Sequence, residues 1–251
     1  MVIIMKGIVV FAAIEGLLIG ASGFLFMLDH NGGPEGLRSR KLYEQEASYY
    51  HRSIGEEQMA SDNEEILSLS LLYDDFVGYL EVSGTSIDYP VMQDRTDSEG
   101  NYFYLTHDYT GDEDPGGCPF VRRSSSTDDD IIEVYAHNMS NGTMFSDLEK
   151  FENEDFFYEH GDIVFDMISG RRTYKVVSVL DAAVSGGPFT FFGWSNFPDE
   201  ETEMEFIRQI TEYSVQQRSS GLIPGEQYLL LVTCEYSHEN GRRVVVAVRT
   251  S

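Results

Sequence analysis

From residue 76 onward the chain alternates short apolar runs with Gly, Asp, Asn and Pro. Runs at 76–82, 131–136, 163–168, 174–180, 228–233 and 244–248 have strand length and are mostly rich in β-branched or aromatic residues, a composition that suits a pleated, half-buried surface. Two stretches break this texture. Met144, Phe145, Leu148 and Phe151 recur at helical spacing, and so do Phe206, Ile207, Ile210 and Tyr213 behind an acidic first turn starting at Asp199. A helix is predicted at each. Many strands with two inserted helices predict a mainly β fold, a barrel or sandwich with helical decorations. No internal repeat is visible.

The first seventy-five residues read differently. Residues 7–28 are an apolar run with Glu15 as its only charge, long enough to cross the hydrocarbon core of a bilayer. A cleaved signal peptide is the rival reading, since Gly20, Ala21, Ser22 and Gly23 are small. The run continues through residues 24–28 beyond them, which favours an uncleaved anchor within residues 1–30. The flanking charges lean against export, with Lys6 before the span and Arg38, Arg40 and Lys41 after it. Residues 31–75 are polar, and Leu37, Lys41, Leu42, Glu44 and Glu46 are helix formers, so this segment reads as a juxtamembrane helical stalk. Residues 76–251 remain as the globular domain.

Composition narrows the function. A 41% hydrophobic share with 16 Phe and 15 Tyr in 251 residues supports a real core. The net charge of −26 argues against nucleic acid, whose phosphates need a basic surface. Two cysteines build no disulfide framework, and no Cys/His cluster suggests zinc. The acidic runs at 112–114 and 128–130 lack the ligand spacing of a calcium loop and read as solvated turns. No metal and no cofactor are expected.

Three kinds of residue could carry chemistry. Cys234 ends the apolar run 228–233 and precedes the polar stretch 235–241. A thiol there is held by a strand yet stands where core gives way to surface, as a nucleophile requires; the bland alternative is a small buried hydrophobe. His137 leaves the run 131–136 in the same way and could act as general acid or base, or be a satisfied surface histidine. His107 and His238 compete for that role. Arg242 and Arg243 open the Val-rich run, where an arginine could donate to a carbonyl oxygen developing negative charge or merely begin a strand.

The order of these residues resembles the sortases. Leu231-Val232-Thr233-Cys234-Glu235-Tyr236, followed by Gly241-Arg242-Arg243-Val244-Val245-Val246, resembles their L-x-T-C … R signature. Tyr135-Ala136-His137-Asn138-Met139 is similar to their Y-G-H-N-M segment, with Ala in place of Gly. Residues 77–82 and 84–93 resemble the opening strands, and Asn101-Tyr102-Phe103-Tyr104-Leu105 the next characteristic patch. The likeness spans roughly residues 76–249. A long helix-bearing stretch between Lys175 and the cysteine run, together with an anchor and stalk, is similar to class B. Two departures stand out: Cys118 replaces the usual serine or apolar residue, and Val232 stands where many class B members carry serine.

The resemblance implies an eight-stranded sortase-type β-barrel with inserted helices, preceded by an N-terminal transmembrane helix and helical stalk. It implies a membrane-anchored cysteine transpeptidase, single-pass, with its catalytic domain outside the cytoplasm. Cys234 would attack the Thr carbonyl of a surface protein's C-terminal sorting signal and form a thioester. His137 would protonate the leaving amine and then deprotonate an incoming one, from a peptidoglycan precursor or a pilin lysine. Arg242 would hold the carbonyl oxygen, and Asn101, Tyr135, Thr233 and Glu235 would line the signal-binding groove. Arg243 is expected to point away, its stem covering the outer surface, and Cys118 to be a free thiol. A cysteine endopeptidase that releases product to water and a non-catalytic surface-binding barrel are the alternatives.

Overall fold

The apolar runs become strands because their alternating side chains can be buried only by pairing. A computed structural model describes residues 34–53, 62–93, 103–183, 189, 191, 193–219, 222–235 and 241–251. The apolar run at 7–28, Asn101 and His238 lie outside the described residues. The strands are β1 (Phe76–Val82), β2 (Asp88–Gln93), β3 (Phe120–Val121), β4 (Ile131–Tyr135), β5 (Asp162–Met167), β6 (Gly170–Ala183), β7 (Ser214–Gln217), β8 (Tyr228–Glu235) and β9 (Gly241–Arg249).

They pair in the order β5-β1-β2-β3-β4-β8-β9-β6, and β6 returns to β5. The result is a closed eight-stranded barrel, the mainly β architecture expected. The long β6 makes closure possible: residues 170–175 pair with β5, while residues 174–183 pair with β9. Its far half also takes β7 as a ninth strand, with Ser178 opposite Gln217. Strand β3, two residues long, is too short to leave a periodic signal. Strand β9 is buried at every position but its last, which explains its unbroken Val run: both faces are covered, so alternation is not required.

Among the described residues four α-helices accompany the barrel: α1 (Pro34–Ser53), α2 (Asp62–Leu72), α3 (Glu154–Glu159) and α4 (Glu200–Tyr213). Helix α4 is the one expected from residue 199 onward. Asp199 caps it, its carboxylate accepting from the Thr202 N–H at 2.8 Å, and Phe206 packs between Phe191 and Tyr228. The other expected helix takes a different form. Gly142 and Met144 both have positive φ (81° and 56°), so the chain turns there. A 3-10 helix (Ser146–Glu152) follows, and only then the short α3. Leu148 and Phe151 are buried as their spacing suggested.

Helix α1 lies on the barrel. Tyr43 and Tyr50, with Ile66 and Leu69 of α2, belong to the same buried cluster as the barrel interior. Tyr43 packs against Tyr89 with ring centroids 5.2 Å apart, and Tyr50 stacks on Tyr79 at 3.8 Å. Among the described residues no helix is long and apolar enough to cross a membrane.

The approach of β1 to β5 depends on the absence of a side chain at Gly78. A Cβ on Gly78 of β1 would lie 2.4 Å from the Asp166 carbonyl oxygen of β5 and 2.9 Å from the Phe165 ring. Gly78→Ala should therefore cost about 3 kcal/mol, the upper part of the range for overpacking, read from the midpoint of urea denaturation.

Candidate active site

Strands β4, β8 and β9 lie side by side and set the level of every candidate residue. β4 and β8 are parallel, with Tyr135 opposite Val232. The ladder runs past the formal end of β4: the Ala136 N–H donates to the Val232 carbonyl (3.2 Å), and the Thr233 hydroxyl donates to the Ala136 carbonyl (2.8 Å). Continuing this register by two residues brings His137 level with Cys234. β8 and β9 are antiparallel, with Cys234 opposite Arg242. His137, Cys234 and Arg242 thus stand in one row across three neighbouring strands, each about 4.8 Å from the next in the hydrogen-bonding direction. For Cys234 the backbone position is described.

The imidazole of His137 is 5% exposed and its Nε2 lies 2.8 Å from the Leu105 carbonyl oxygen. A carbonyl can only accept, so Nε2 carries a proton and the contact orients the ring. The main chain is held as well, because the Phe145 N–H donates to the His137 carbonyl at 2.9 Å. His107 lies in a separate turn, its ring stacked on Phe103 at 3.8 Å.

Arg242 is 3% exposed. Its Nη1 donates to the Gly241 carbonyl at 2.8 Å, and among the described residues no atom accepts from Nη2. Its side chain lines the same open recess as His137, between the apolar walls of Leu105, Phe120 and Val232. Burying a guanidinium with an idle donor is costly, and a carbonyl oxygen entering the recess would offset that cost. Low-dielectric walls strengthen such a bond.

Arg243 behaves otherwise than expected. Its side chain does leave the Arg242 face, as strand alternation requires. It is not spread over the outer surface, however, but 3% exposed, with Nε on Asp181 (2.6 Å) and Nη2 on Glu152 (2.5 Å). Asp181 is its cross-strand partner on β6, and Glu152 comes from the 3-10 helix. Neither neighbour is visible from the local sequence. Two carboxylates make this a structural ion pair.

The groove residues divide. Tyr135 and Thr233 line the recess, yet both hydroxyls are already engaged. The Tyr135 hydroxyl donates to Glu133 (2.7 Å) and accepts from Arg122 Nη2 (2.9 Å), and burial foremost, then the Glu133 carboxylate, pushes its pKa well up. Tyr135 therefore offers its ring, stacked on Phe120, rather than its hydroxyl. The backbone of Glu235 pairs with Gly241, and Asn101 lies outside the described residues. Sequence reasoning missed Glu133, a 1%-exposed carboxylate that also accepts the Gly193 N–H at 2.9 Å, and Leu105, which acts through its carbonyl. A backbone acceptor has no side-chain signature. Glu133 sits inside an apolar run, and an acid at such a position is itself the signal that could have found it.

Cys118 is a free thiol, 2% exposed, with Sγ donating to the Pro90 carbonyl at 3.4 Å. Burial pushes the thiol well above its ordinary pKa, which keeps it inert. The acids of the run at 128–130 also have partners: Asp128 pairs with Arg172, and Asp130 accepts from the Phe197 N–H. Among the described residues no group of His, Cys, Asp and Glu is arranged to hold a metal.

A sortase-domain family model matches residues 80–250. Two curated relatives, Sortase B of Listeria monocytogenes and Sortase B of Staphylococcus aureus, are each 28% identical over 186 and 184 residues, covering 72% of this chain and 72% of the relative. A solved structure of a mutant form of Clostridium perfringens sortase B superposes with a TM-score of 0.72 at 27% identity, covering 83% of this chain and 97% of that one.

Arg243→Ala should cost about 2 kcal/mol of stability, less than for a fully buried pair because Glu152 is half exposed; thermal denaturation with a matched Arg242→Ala variant checks this. In a Cys234→Ser background a thiol reagent should find no reactive group in the native protein and one after denaturation, since only Cys118 remains.

Proposed function

The chain belongs to the sortase family, cysteine transpeptidases that cleave sorting signals and transfer them to amines, and on that premise we propose how its residues divide the chemistry. The Cys234 thiolate attacks the carbonyl carbon of the signal's threonine. A carbon–sulfur bond forms, the scissile carbon–nitrogen bond breaks, and His137 gives the departing amine its proton. The thioester keeps the acyl group activated until an amine arrives. That amine attacks the same carbon, loses its proton to His137, and the thiolate departs. Arg242 Nη2 donates to the carbonyl oxygen while it carries negative charge.

One observation carries this reading: a buried guanidinium that lines the recess, with Nη2 unpartnered among the described residues, in register with a cysteine and level with an oriented histidine. Proximity of this kind makes the acyl transfer effectively unimolecular. The apolar walls favour an extended peptide, with Tyr135 contributing its ring beside Thr233; for Asn101 and Glu235 a role in binding the signal rests on the sequence resemblance alone. The class B relatives support a class B-like enzyme, and the apolar run at 7–28 of the sequence is what supports an anchor at the cell membrane with the domain outside. Its partners are a surface protein's sorting signal and an amine from a cell-wall precursor or a pilin lysine.

The test is to incubate the protein with candidate sorting peptides and read its intact mass. An adduct on Cys234 that disappears when an amine is added, with a ligated product, is the expected result. Retained transfer by Cys234→Ala would overturn the mechanism, and release of free acid alone in the presence of amine would make the protein an endopeptidase. His137→Ala should lower transfer by about a thousandfold. Arg242→Lys should lower it by about a hundredfold, because a point charge lacks the guanidinium fork.

A further inference from the structure

Helix α1 reaches the histidine through two backbone steps. Tyr43, 4% exposed, donates its hydroxyl to the Gly117 carbonyl at 2.6 Å. Gly117 (φ +61°) is pressed against the 3-10 turn Phe103–Leu105: a Cβ there would lie 2.3 Å from the Tyr104 carbonyl oxygen and 2.9 Å from both atoms of the Leu105 carbonyl. The next residue fixes the same contact, since the Cys118 N–H donates to the Tyr104 carbonyl at 2.8 Å. The Leu105 carbonyl then accepts from His137 Nε2 at 2.8 Å. Two more bonds join α1 to this loop, Tyr109 to Glu46 at 3.0 Å and Ser39 to Asp114.

We propose that Tyr43 is a positioning residue for His137, so that the juxtamembrane helix is part of the catalytic unit rather than a spacer. The inference rests on the acid–base reading of His137 given above. The physical basis is that a peptide carbonyl orients an imidazole only as well as its own plane is held. The Leu105 peptide is backed by Gly117, and Gly117 is held by the Tyr43 hydroxyl. Without that hydroxyl the buried Gly117 carbonyl loses this donor, and although Glu46 and Ser39 still hold the loop to α1 at Tyr109 and Asp114, the stretch at Gly117 that backs Leu105 can shift. A misplacement of about 1 Å in a reacting group can cost up to a hundredfold in rate.

The test compares two hydroxyl deletions on the same helix in the full chain. Tyr43→Phe removes the link to the histidine. Tyr50→Phe removes an analogous buried bond to Asp166, on β5, which is separated from β4 by β1, β2 and β3 in the strand order. Tyr43→Phe should lower kcat for transfer about tenfold with KM for the peptide unchanged within twofold, and should speed exchange of the His137 Nε2 proton in nitrogen-resolved imidazole spectra. Tyr50→Phe should leave kcat and the imidazole spectrum unchanged while lowering thermal stability by a comparable amount. Equal losses of kcat in both variants would reduce Tyr43 to a stabilising contact. An unchanged imidazole spectrum in Tyr43→Phe would overturn the coupling. Full activity in His137→Ala would instead overturn the role of the histidine, and the spectra would still report on the coupling itself.

Discussion

The hydrogen-bond register shared by β4, β8 and β9 is the constraint on which the rest of the site depends. His137 and Cys234 are nearly a hundred residues apart in sequence, yet a parallel ladder with Tyr135 opposite Val232 leaves their backbones no freedom but to be level. The antiparallel ladder on the other side then decides which arginine faces the cysteine. Because strand side chains repeat every two residues, a slip of one position would send Arg242 into the Asp181 and Glu152 environment and Arg243 into the recess. The unbroken apolar runs of β8 and β9 hold that register, since both strands are buried along nearly their whole length.

Two adjacent buried arginines with opposite environments follow from that register. Arg243 has two carboxylates to balance its charge, on Nε and Nη2, while its Nη1 has no acceptor among the described residues. Arg242 has a backbone carbonyl and an idle donor in an apolar recess. Each keeps one guanidinium nitrogen without an acceptor among the described residues, Arg242 Nη2 and Arg243 Nη1, but only Arg242 has no carboxylate partner there, and it lines the recess beside the histidine that is level with the cysteine. The destabilisation of leaving it so is the kind of local expense that folded proteins concentrate at sites of chemistry.

The tyrosines explain how a polar, acidic N-terminal stretch becomes part of a β-barrel protein. Tyr43 and Tyr50 bury their rings in the common core while their hydroxyls find acceptors at its edge. Burial raises the pKa of both, so they remain neutral donors. Such residues suit a helix that must dock on a sheet without an apolar stripe, because ring area and a directed hydrogen bond come from one side chain.

Local chemistry was enough to identify the strands at 76–82, 163–168, 228–233 and 244–248, the helix capped by Asp199, and Cys234, His137 and Arg242 as candidates, because apolar runs, caps and strand-end polar residues are properties of a few neighbouring residues. The ordered motifs then pointed to the barrel. Tertiary structure alone decided which groups face one another. The Asp181 and Glu152 partners of Arg243, the commitment of the Tyr135 hydroxyl to Glu133 and Arg122, and the Leu105 carbonyl behind His137 all join residues far apart in the chain or atoms of the backbone. Strand β3 and the positive-φ turn at Met144 were hidden for a related reason. A two-residue strand has no period, and a backbone angle forced by packing leaves no mark on the residue that adopts it.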